Sequence, residues 1–132
     1  MSLLELLINY CVAKGVLVGD GEDSFRNFMP EMPDNVVVFH EYPGDAPLHN
    51  FTEHVHRSVQ VSVRNMTDEA ARSKALELYK LFIADTESLR VDFSESDWGQ
   101  VYIRQLPFKI DQDNSGRVTY CFNLGITTNI LE

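Results

Sequence analysis

Hydrophobic positions along the chain fall into blocks of two different periods. Leu3, Leu4, Leu6, Leu7, Ile8, Cys11 and Val12 form a broad stripe of helical period over residues 3–14, with Ser2 placed to cap its start and Gly15 to end it. Residues 19–35 show no period. They are rich in Gly, Asp, Glu, Asn and Pro, with Pro30 and Pro33 close together, so they are expected to connect elements rather than form one. Val36-Val37-Val38-Phe39 is a short continuous apolar run of the kind a buried strand shows. Tyr42-Pro43-Gly44-Asp45-Ala46-Pro47 is dense in turn formers and opens a loop expected to reach Glu53.

Residues 55–64 alternate. Val55, Arg57, Val59, Val61 and Val63 share one side, and His56, Ser58, Gln60, Ser62 and Arg64 the other, which predicts a half-buried strand with Arg57 at its margin. Thr67-Asp68-Glu69-Ala70 then starts the strongest helix, its acidic first turn suited to the helix dipole. Ala71, Ala75, Leu78, Tyr79 and Phe82 recur at three- and four-residue spacing through Ala84 and mark its buried side. A strand is expected at Leu89-Arg90-Val91. Along residues 99–106, Val101, Ile103 and Gln105 face one way and Tyr102, Arg104 and Leu106 the other, with Pro107 at a strand end or bulge. The last run puts Val118, Tyr120, Phe122, Leu124 and Ile126 on one side, after a hairpin loop over Asp111–Gly116. The order is therefore α, β, β, α, then two or three strands.

Composition narrows the class. A chain of 132 residues, 44% apolar, can bury roughly two-thirds of the surface its unfolded form exposes, enough for one core without metal or disulfide staples and too little for two full domains. No apolar run approaches the ~20 residues a membrane-crossing helix needs. The start, Met1-Ser2-Leu3-Leu4-Glu5, lacks the basic segment of a secretory signal, which points to an intracellular chain. Cys11 and Cys121 form no Cys-x-x-Cys pair and are expected as buried, reduced thiols. Eleven Lys and Arg against twenty Asp and Glu give a net charge of −9. The basic residues are scattered singly, so a protein that grips nucleic acid through its phosphates is not expected.

Candidate chemistry is sparse. Asp111-x-Asp113-x-Ser115-Gly116 copies the first half of a calcium loop, yet the position of the bidentate Glu holds Phe122, so a polar hairpin turn is the expectation. His40, His49, His54 and His56, with Glu41, Asp45 and Glu53 among them, offer the alternative of a metal- or small-ligand-binding α+β domain. His54-x-His56 on a strand could chelate zinc, but only that pair has a defined geometry. Neither a Gly-x-Ser-x-Gly elbow nor a phosphate-binding glycine loop occurs. No catalytic residue, metal ligand or cofactor is expected.

Three local patterns carry a family resemblance. They are Leu3-Leu4-Glu5-Leu6-Leu7 leading through a helix to a glycine, and the strand His56–Arg64 followed directly by the helix Asp68–Ala84. The third is Leu106-Pro107-Phe108, the turn Asp111–Arg117, and then Val118-Thr119-Tyr120-Cys121-Phe122-Asn123-Leu124. Together they resemble the small minor capsid and tail-terminator-like proteins of tailed bacteriophages and prophages. The resemblance implies an α/β (α+β) fold over residues 1–132, as a single domain: a mixed or mainly antiparallel sheet, of about four to five strands, with two main helices packed on one side. It implies a non-enzymatic virion protein that assembles as a homo-oligomeric ring, typically hexameric, and meets other tail or neck proteins. Such a protein is found in the virion, and in the host cytoplasm during assembly. The −9 charge fits that picture, since a ring of such subunits would have a strongly negative lumen along which DNA slides. Phe25, Phe28, Tyr42 and Phe51, in the two long loops, are the candidate subunit or partner contacts. The competing reading is that these aromatics cover the protein's own core.

Overall fold

A computed structural model describes residues 1–43, 54–86 and 91–131. Along the chain run α1 (Leu3–Ala13), β1 (Ser24–Arg26), β2 (Val36–Tyr42), β3 (Val55–Asn65), α2 (Asp68–Thr86), β4 (Val91–Asp92), β5 (Trp98–Ile103), β6 (Phe108–Gln112) and β7 (Val118–Thr128). The helix ends follow the local chemistry. Ser2 Oγ accepts from the Glu5 amide at 3.3 Å, and Gly15 takes the left-handed turn after α1 at φ +76°. Thr67 Oγ1 likewise accepts from the Ala70 amide at 3.2 Å at the head of α2.

The strands form one mixed sheet in the order β1-β2-β3-β7-β5-β4. Only β1 and β2 run parallel. β7 is the central rail. One of its edges pairs with β3 throughout, and the other pairs with β5 along its second half and β6 along its first. The sheet thus has seven strands rather than the expected four to five. The two that pattern reading passes over are β1, three residues inside the Gly/Asp-rich segment, and β6, all five of whose residues are exposed. Neither buries an alternating face, which is the signal that reveals strands in sequence.

Both helices cover the same side of the sheet. Leu3, Leu7, Ile8 and Cys11 of α1 and Ala75, Leu78 and Phe82 of α2 join Phe39, Val59, Val61, Phe122, Leu124 and Ile126 in one buried cluster. The Tyr10 and Phe82 rings, 6.3 Å apart, link the two helices, and Phe82 meets Phe122 of the sheet at 6.5 Å. Cys11 and Cys121 are both buried thiols, and burial pushes the Cys11 thiol up to about 12, leaving it a small apolar filler.

At one end of the sheet two buried arginines hold the 31–34 segment. Arg64 donates to the carbonyls of Pro33 (2.7 Å), Asp34 (3.1 Å) and Glu31 (3.2 Å). Arg117 donates to the Glu31 carbonyl at 2.6 Å and pairs with Asp113 at 2.7 Å. The connection read as irregular in sequence is therefore tied to β3 and β7.

Candidate functional site

Alternation along the strands assigns every second residue to the side away from the helices. Register lines those residues up in rows. Phe25, Val38, Ser62, Cys121 and Phe108 make one row, and His40, Gln60 and Asn123 the next. Tyr42, Ser58, Gly125 and Tyr102 make a third. The floor along β3 and β7 is built of small or amide side chains, and aromatic rings border it on both flanks. Antiparallel sheets commonly leave one face to solvent. Here Val38, Ser58, Ser62 and Cys121 are buried and His40, Gln60 and Asn123 half-buried, with more exposed rings on both flanks, and exposed aromatics concentrate where proteins meet partners.

The rings are placed by definite contacts. Phe25 and Phe28 meet edge to face at 5.6 Å, and Phe28 remains 56% exposed. On the far flank Phe108 is 42% and Tyr102 40% exposed. The Tyr102 ring lies flat across Gly125, so close that a Cβ there would stand 2.2 Å from its Cε2. Gly125 is thus the residue that lets the tyrosine lie down. Leu106 and Ile110 add exposed apolar surface beside Phe108. Pro107, Lys109 and the bulge between Lys109 and Asp111 guard the β6 edge against simple strand addition. Contact there must run through side chains.

Arg104 crosses this face. Its Nη2 donates to Ser58 Oγ at 3.2 Å and its Nη1 to the Tyr42 hydroxyl at 3.5 Å. Among the described residues its guanidinium meets hydroxyls and no carboxylate. Beside it His40, Tyr42, Gln60 and Asn123 line a shallow hollow of about 430 Å³. Burial lowers the pKa of His40, favouring the neutral imidazole.

Of the sequence candidates, Phe25, Phe28 and Tyr42 all lie on this face, while Phe51 falls outside the described residues. Tyr102, Arg104 and Phe108 are not among the contact candidates the sequence offers, although the alternation of Tyr102 and Arg104 against Val101 and Ile103 holds the signal and Phe108 belongs to a pattern that carries the family resemblance. Choosing which of the two sides mattered required the pairing with β7.

The histidines do not gather. His40 sits on the hollow, His54 packs edge-on against Trp98 at 5.0 Å, and His56 shares a 2.7 Å hydrogen bond with Thr127. His49 lies outside the described residues. Among the described residues no three His, Cys, Asp or Glu side chains converge as a metal site would require. Asp113, the central oxygen donor of the half calcium loop, accepts from the Ser115 and Arg117 amides at 3.0 and 2.9 Å and from Arg117 Nε at 2.7 Å. Its lone pairs serve the hairpin. Among the described residues no helix is long and apolar enough to cross a membrane.

Comparison with known proteins gives one family. A family described as bacteriophage tail terminator protein matches residues 12–130. No curated protein matches the chain.

Proposed function

The chain belongs to the bacteriophage tail terminator family, and from that premise we propose that it is a non-enzymatic assembly protein whose copies close into a ring at an end of the tail tube, where the tail joins the head. The observation that carries this reading is the family match over residues 12–130. The geometry supports it from another direction. The helices cover one side of the sheet, and the other side is a broad, aromatic-bordered face suited to contact with another protein rather than to enclosing a substrate. Its partners are further copies of itself, six in the arrangement the family resemblance implies, and tail or neck proteins. Its place is the virion, reached from the host cytoplasm during assembly.

Charge sets the conditions for closure. At −9 per subunit, copies repel one another at low salt, and the repulsion is screened as the Debye length shrinks from ~10 Å at 0.1 M to ~3 Å at 1 M. The test is mass measurement in solution over a concentration series, with and without the tail-tube protein of the same phage, at both ionic strengths. The expected result is a monomer or weak oligomer alone, a closed ring on tube ends, and stronger self-association at high salt, with no duplex DNA binding at physiological salt. A protein that stays monomeric in the presence of tubes, or one that binds DNA tightly, overturns the reading.

A further inference from the structure

We propose that the sheet face opposite the helices receives the acidic surface of the next copy of this chain, with Arg104 pairing a carboxylate of that copy. The inference rests on the ring reading above and names the surface through which the ring would close. Two facts about charge single out the face. The chain carries twenty Asp and Glu, yet among the strand residues that register places on this side the carboxylates are Asp111 and Asp92, on the outer strands β6 and β4, with none on β2, β3 or β7. Other exposed acids lie outside these strands, as at Glu22, Glu69, Glu77 and Glu95. A neighbour of net charge −9 therefore meets little repulsion when it approaches the centre of this face, along β2, β3 and β7.

Arg104 supplies the attractive half. Its guanidinium has five N–H donors in a planar fork suited to a carboxylate. Here it spends them on two neutral hydroxyls, Ser58 and Tyr42. A carboxylate entering the adjacent hollow would meet that fork with the Gln60 and Asn123 amides beside it, and a docked neighbour would shield the contact from water. A face that complements a different part of the same chain makes head-to-tail contacts, and those close into rings when the rotation allows. Duplex DNA fits poorly, since one arginine on a −9 subunit offers too little phosphate neutralisation.

The test compares Arg104→Glu with Lys80→Glu, an exposed position on α2 in the helix layer. Each substitution adds the same negative charge, so net repulsion is matched. Assembly is followed by mass in solution with tail tubes present, and thermal melting confirms that each variant folds. Arg104→Glu is expected to raise the concentration for half-assembly at least about ten-fold more than Lys80→Glu, the effect of losing one charge-assisted contact. Phe108→Ser, on the far border, is expected to weaken assembly in the same direction without changing charge. Equal effects of the two charge variants, or normal assembly of Arg104→Glu, would overturn the proposal while leaving the ring reading intact. Rings that still form but no longer hold to the tube would overturn it too, and assign the face to the tube protein. Wild-type protein that never assembles would overturn the ring reading first and this inference with it.

Discussion

The two faces of the sheet are drawn from the same strands, and they differ in what their alternate residues are asked to do. On the helix side, Val59, Val61, Phe122 and Leu124 are fully buried among leucines and Phe82. Their large apolar area is removed from water by the protein itself. On the other side the same strands offer Ser58, Gln60, Cys121 and Asn123, and the large side chains stand at the borders, where Phe28 and Phe108 stay about half exposed. The first face is a finished core. The second has the composition of an interface, with rings and an arginine around a small-residue floor in which Ser58 and Cys121 are buried and Gln60 and Asn123 half-buried. Side chains of similar size should therefore matter to different experiments, stability on one face and assembly on the other.

The sharpest way to break that contrast is truncation on each face. Phe82 is fully buried and reaches both Tyr10 and Phe122. Phe82→Ala should cost on the order of 3–5 kcal/mol in denaturant unfolding. Phe108→Ser, removing a ring of the same size, should cost far less, about 1 kcal/mol in the isolated protein, because 42% of that residue is already exposed. Comparable losses at the two positions would mean that the sheet has no bare side.

Gly125 sharpens the comparison at an intermediate scale. Gly125→Ala places a methyl where the Tyr102 ring lies, 2.2 Å from Cε2. Tyr102 is 40% exposed and can swing outward, so the cost should stay near the low end of the roughly 1–3 kcal/mol typical of overpacking. Joined to Tyr102→Ser, the alanine should cost less than it does alone. A double variant whose losses simply add would show that the ring does not rest on the glycine.

How much of this was legible beforehand follows the same division. The helix side could be read because burial imposes a period: five apolar residues from Val118 to Ile126, four valines in β3, and the α2 stripe from Ala71 to Phe82 each announce a face. The other side left no such mark. Ser58, Gln60 and Asn123 look like ordinary solvated positions until pairing brings Tyr42 and Tyr102 to their flanks. The aromatics of the 19–35 and 42–53 loops drew attention by composition, which found Phe25, Phe28 and Tyr42 but could not supply their partners across the sheet. β6 escaped because it is exposed throughout, and Arg104 because nothing local distinguishes an arginine that meets hydroxyls from one that meets carboxylates.

The smallest expected effect concerns metal, and it tests whether the bare face and its hairpin are built for a protein or for an ion. A ligand that binds only the folded state adds ~2.7 kcal/mol at 100 times its dissociation constant, several degrees of melting temperature for a domain of this size. His40, His54 and His56 are engaged at separate places, with the hollow, Trp98 and Thr127. Asp113 is already taken up by two amides and the Arg117 guanidinium. To bind calcium it would have to release those donors and leave Arg117 without its closest carboxylate, and that loss offsets what the ion could contribute. Zinc, calcium and EDTA should therefore each leave the melting temperature within about one degree of the untreated protein. A rise of several degrees with zinc would mean that the histidines can be drawn together. The face around His40 would then have to be reconsidered as a ligand site, because an imidazole held by a metal could no longer line the hollow beside Arg104.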